Sequence, residues 1–162
     1  MERNMNMFRG AFLSLLAGMV GTMLAVPAAS AQTTVSSFTL QVEGTAPAVK
    51  TGLPETVKFD GPVVITATVV TDPGLPPGVV LSIDGRGVRG SGLKTGTVYN
   101  NEAEANLTRP FGPTDHVETT FAFFENAAGS FMNAKGALLT LNLTYDTTTM
   151  ALTKVTGDIG TL

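Results

Sequence analysis

Apolar and polar residues alternate with a period of two through most of this chain. Phe38, Leu40 and Val42 interleave with Ser37, Thr39 and Gln41, and Val63, Ile65, Ala67 and Val69 with Val64, Thr66, Thr68 and Val70. The pattern returns as Ala103, Ala105 and Leu107 against Glu102, Glu104 and Asn106, and as Leu139, Leu141, Leu143 and Tyr145 against Thr140, Asn142 and Thr144. Successive side chains of an extended strand point to opposite faces, so this spacing predicts half-buried antiparallel strands. Strands are expected at 34–44, 55–59, 62–71, 79–84, 95–100, 102–109, 116–125 and 137–145, with a ninth near 150–156. No window beyond residue 31 carries a helical stripe.

Turn chemistry separates these runs. Asp60-Gly61-Pro62 predicts a turn between the second and third strands, and the proline-rich 72–78 segment predicts a constrained loop. Asp146-Thr147-Thr148-Thr149 reads as a hairpin turn, with the Asp carboxylate accepting from backbone amides just ahead of it. The 46–54 stretch reads as an irregular connection, and 126–136 as a loop or one helical turn. Together these predict an all-β fold, an antiparallel β-sandwich of about eight or nine strands. A small closed β-barrel is the alternative.

The N-terminal segment has a different character. Arg3 and Arg9 precede an apolar run over 11–26, then Pro27 and the small residues Ala29-Ser30-Ala31. That is the layout of a cleavable signal peptide over 1–31. The apolar run, about 16 residues, is shorter than the roughly 20 a membrane helix needs. The expected product is a secreted or periplasmic single all-β domain over 32–162. Its length, about 131 residues, is ordinary for one domain and sufficient for a core.

Composition narrows the chemistry. With no cysteine, the domain has no disulfide, thiolate zinc site or cysteine nucleophile, and no residue for a lipoprotein anchor. Loss of Glu2, Arg3 and Arg9 with the leader leaves 12 acidic against 8 basic residues. This acidic balance argues against a nucleic-acid partner, which needs clustered cations to displace phosphate counterions. An integral outer-membrane barrel would carry aromatic girdles, whereas this chain has no Trp and only Tyr99 and Tyr145. The domain is therefore read as not integral to the membrane, with no metal and no cofactor.

Few residues carry chemistry. Gly85-Arg86-Gly87-Val88-Arg89-Gly90 spells G-x-G-x-x-G after a strand, but no helix is predicted to follow and hold a pyrophosphate. It reads as a glycine-rich bend, with Arg86 and Arg89 as a small anion-binding patch. His116, the only histidine, shares a strand face with Glu118. Glu102 and Glu104 project from one face about 7 Å apart and read as an ordinary wet face. The run Phe121-Ala122-Phe123-Phe124 is apolar on both faces. It marks a doubly covered strand or a pocket lined by Phe121, Phe123 and Tyr99. The expected function is a non-catalytic binding or structural role in the envelope or outside the cell, with a protein partner. The alternatives are a carrier of a small hydrophobic ligand, or a barrel enzyme of isomerase or cyclase type using Tyr99, Tyr145, Arg109 or His116.

Overall fold

The computed structural model describes residues 30–51, 54–125 and 135–160. The leader expected at 1–31 thus lies, but for its last two residues, outside the described residues, as does the 126–134 part of the segment read as loop or helical turn. Nine strands follow one another: β1 (Gln32–Ala46), β2 (Val57–Thr71), β3 (Gly78–Asp84), β4 (Arg89–Gly92), β5 (Val98–Asn101), β6 (Glu104–Pro110), β7 (Thr114–Glu125), β8 (Lys135–Asp146) and β9 (Ala151–Gly160). One helical turn, α1 (Ala48–Thr51), lies in the connection after β1.

All nine strands belong to one open antiparallel sheet. β1 pairs with β2 along their whole lengths. The other edge of β2 is shared by β3, opposite 64–70, and β4, opposite 57–60. β3 then pairs β6 and β4 pairs β5, so the two short couples continue the same two lanes. β5 passes to β7, β7 to β8 and β8 to β9.

The apolar half of each alternating run faces inward. Val63, Ile65, Ala67, Leu81, Ile83, Phe121, Leu139 and Leu141 are fully buried. Among the described residues there is no helical layer to cover this face, so the sheet rolls over and covers itself. The rings of Phe59 on β2 and Phe123 on β7 lie 4.3 Å apart, and those of Phe111 and Tyr145 lie 5.5 Å apart.

The roll brings the first strand to the last. Leu152 N–H donates to Ser36 Oγ at 3.1 Å, and a side chain at Gly44 would strike the Ile159 carbonyl. Both contacts advance in the same direction along the chain, so β1 and β9 run parallel. An up-and-down path of seven lanes requires this, because its six reversals, an even number, return the chain to its starting direction. No ladder joins them, and the sheet stays open there.

Two expectations are corrected. The strands predicted at 55–59 and 62–71 are one strand, and Asp60-Gly61-Pro62 is extended chain rather than a turn. Gly61 holds φ at 139°, and a side chain there would clash with the backbone of Gly87 and Val88. Pro62 costs nothing, because its missing N–H faces the gap where the neighbour changes from β3 to β4. The second correction is β4, a strand of Arg89-Gly90-Ser91-Gly92 in a place read as a bend.

Candidate functional site

Three features carry exposed chemistry. The first is the outer face of β1, β2, β3 and β6, whose register fixes its rows. Val35, Thr68, Val80 and Thr108 form one row, and Ser37, Thr66, Ser82 and Asn106 the next. Thr33, Val70, Gly78 and Pro110 flank them on one side; on the other, Thr39 and Val64 lead to Asp84 and Glu104. Four β-branched residues stand out to solvent: Val35 is 63% exposed, Val80 42%, and Val64 and Val70 38% each. Ser37 and Thr66 hydroxyls pair across the strands at 3.2 Å. Three of the four rows therefore contain no charge.

At the charged end of this face lies a hollow of about 340 Å³, lined by Arg86, Arg89, Asn100, Asn101, Glu102 and Phe124. It sits beside the G-x-G-x-x-G segment, which forms the β3–β4 connection and leads into strand rather than helix. Arg86 grips Asp84 with two donors, Nε to Oδ1 at 2.9 Å and Nη2 to Oδ2 at 2.6 Å. It also reaches Glu104 at 2.7 Å. The Arg86 hydrogen bonds hold the Asp84 carboxyl below its ordinary range. Arg89 donates to the carbonyls of Arg86 and Val88 and has no acidic partner among the described residues. The structure thus brings Arg86 and Arg89 together, with Arg86 already neutralised.

A second hollow, about 390 Å³, is lined by Arg109, Thr114, Asp115, His116, Asn142, Leu143 and Thr144. Arg109 forks onto Asp115 at 3.0 and 2.6 Å, and its Nη2 also bonds the His116 carbonyl at 3.1 Å. This side chain therefore ties β6 to the start of β7. His116 is exposed, with Nδ1 2.9 Å from Asn142 Oδ1 and Nε2 3.4 Å from Glu118 Oε1. Both acceptors favour the imidazolium, Asn142 the more, and raise its pKa. Beneath lies Tyr145, buried, its hydroxyl without a hydrogen-bond partner among the described residues. Burial, with the Asp115 charge nearby, pushes its pKa up to about 12, so it remains neutral.

Phe121, Phe123 and Tyr99 sit in the packed interior, none more than 2% exposed. Phe123 meets Phe59, and the Phe121 ring fills the space a side chain at Gly85 would need. These three do not join Arg86, Arg89 or His116, which stand at the surface.

Sequence reasoning missed two buried polar residues. Glu55 accepts from Lys94 N–H at 2.6 Å, from Thr95 N–H at 2.9 Å and from the Thr95 hydroxyl. The Thr95 hydroxyl contributes most to lowering its pKa. Asn101 donates to the Gly85 carbonyl at 2.9 Å and accepts from Ala103 N–H at 2.7 Å, fastening the β5–β6 join to the β3–β4 join. The partners of Glu55 lie about 40 residues away, so no local signal pointed to it, whereas Asn101 bonds Ala103 two residues on and Gly85 of the G-x-G-x-x-G segment.

Among the described residues no three acidic or histidine side chains gather as a metal site, and no helix is long and apolar enough to cross a membrane. Comparison with family models, with curated proteins and with solved structures finds no match.

Proposed function

We propose that the chain is an exported, non-catalytic binding or structural domain, acting in the cell envelope or outside the cell, and that it works through the outer face of β1, β2, β3 and β6. On this reading the rolled sheet is a sandwich-like support for that face. The observation carrying the proposal is the face itself: three rows of Thr, Ser, Val and their small or amide neighbours without a charge, with four valines held in water. Val35, Val70 and Val80 are diagonal neighbours in this register, and exposed apolar surface rimmed by hydroxyls marks interaction sites on soluble proteins.

Four polar side chains support the same reading, since they are engaged in building the fold. Arg86 secures the β3–β4 join, Arg109 the β6–β7 turn, Glu55 the 92–97 turn and Asn101 the β5–β6 join. A carrier of hydrophobic ligands would need space beside Phe121, Phe123 and Tyr99; Phe123 meets Phe59, Phe121 lies against Gly85, and Tyr99 is buried.

The test uses the 32–162 chain and the envelope fraction of its own host. The native protein is expected to co-sediment with that fraction, and Val35→Lys combined with Val80→Lys to remain in the supernatant with an unchanged melting temperature. Equal sedimentation of the two proteins, or none by either, would overturn the proposal.

A further inference from the structure

We infer that Gln32 is a modification site: the cut that releases the mature chain exposes its α-amine, which closes on its own side-chain carboxamide to give an N-terminal pyroglutamyl ring. The inference rests on the exported reading of the chain and adds a covalent change which that reading does not contain.

The sequence and the sheet point to the same bond. Ala29-Ser30-Ala31 supplies the small side chains that a signal peptidase selects, and the residue after them is glutamine. The β1–β2 ladder begins at that glutamine, with Gln32 opposite Thr71. Ser30 and Ala31 stand outside the ladder and are exposed. A cut after Ala31 therefore meets an accessible bond and takes no residue from the sheet.

The surroundings of Gln32 leave ring closure open. The residue is exposed, and its carboxamide has no hydrogen-bond partner among the described residues. Its backbone carbonyl accepts from the Thr71 hydroxyl at 3.4 Å. Closure does not touch that carbonyl and leaves one hydrogen on the ring nitrogen, so the residue keeps its place opposite Thr71.

The chemistry needs no second molecule. A free α-amine titrates at about 7.7–8.0, so near neutrality part of it is unprotonated and nucleophilic. The amine nitrogen attacks Cδ and forms the ring C–N bond. The Cδ–Nε2 bond breaks, and a proton from the amine departs with Nε2 as ammonia. No oxidant, reductant or co-substrate enters, and closure within one residue has the rate advantage of an intramolecular reaction.

The ring also suits the outer face. A free amine at Gln32 would set a positive charge beside Thr33 and Val70, in the uncharged row they share with Gly78 and Pro110. The lactam removes that charge, together with the amine that aminopeptidases bind.

The test is the intact mass of the protein that its own host exports from the full 1–162 chain. The main species is expected to be 32–162 lighter by one ammonia, refractory to Edman degradation until a pyroglutamyl peptidase removes the ring. Gln32→Ser, with no carboxamide to close on, is expected to be cut at the same bond and to keep its full mass and a free amine. A 32–162 chain that retains its ammonia after prolonged incubation at neutral pH would overturn the inference and leave export standing. A cut at another bond, or loss of ammonia from Gln32→Ser as well, would do the same. An uncut 1–162 chain would overturn both.

Discussion

Single polar residues hold the turns of this molecule, and their effects should follow from the groups they satisfy. Asn101→Ala leaves the Ala103 N–H unpaired and takes from the Gly85 carbonyl one of its two donors, Val88 N–H being the other. An unpaired buried group costs about 1–3 kcal/mol, so a urea melt should show a loss of that order. Glu55 has a lowered folded pKa. Its contribution is therefore full above the ordinary glutamate value and fades as pH falls through the lower folded value. Glu55→Gln should flatten that acid limb, measured as melting temperature between neutral and acid pH. His116 has the opposite sign. Its raised pKa means that the stabilisation from Asn142 and Glu118 is full below about 6.5, the unfolded value, and lost as pH rises through the higher folded one. An NMR titration should give a midpoint above that of an unstructured histidine, and Asn142→Ala should lower it.

At the scale of elements, the strands were legible because burial follows alternation. The inward residues predicted for 62–71 and 137–145 are those the structure buries. The Asp146 turn also forms as its chemistry implies, its carboxylate accepting from Thr148 and Thr149 N–H at 2.7 and 3.0 Å. What was illegible depended on partners distant in sequence. Gly61-Pro62 looks like a turn until the chain at 87–88 is seen crossing it, and β4 contains no branched or aromatic residue to announce a strand. The candidate site divides the same way. The surface positions of Arg86, Arg89 and His116 could be read, whereas Glu55 could not, because its partners lie about 40 residues away. Three substitutions follow. Gly61→Val should destabilise by about 1–3 kcal/mol from backbone conformation alone, and further by its clash, while Gly160→Ala, in open space, should be nearly neutral. Phe123→Ala, which removes the ring packed on Phe59 across the roll, should cost about 3–5 kcal/mol.

The whole molecule is a single sheet that serves as its own second layer. Rolling it buries most of one face and leaves the other to water, and the two halves of that outer face differ. Across β7, β8 and β9 it carries His116, Glu118, Lys154 and Asp158, whereas across β1, β2, β3 and β6 the charges retreat to one end. This asymmetry is what the functional proposal rests on. The most direct measurement is covalent surface footprinting of the 32–162 chain, free and bound to the envelope fraction of its host. Labelling should fall at Val35, Val64, Val70 and Val80 on binding and stay constant at His116 and Lys154. Protection centred on His116 and Lys154, with the four valines still labelled, would contradict the account.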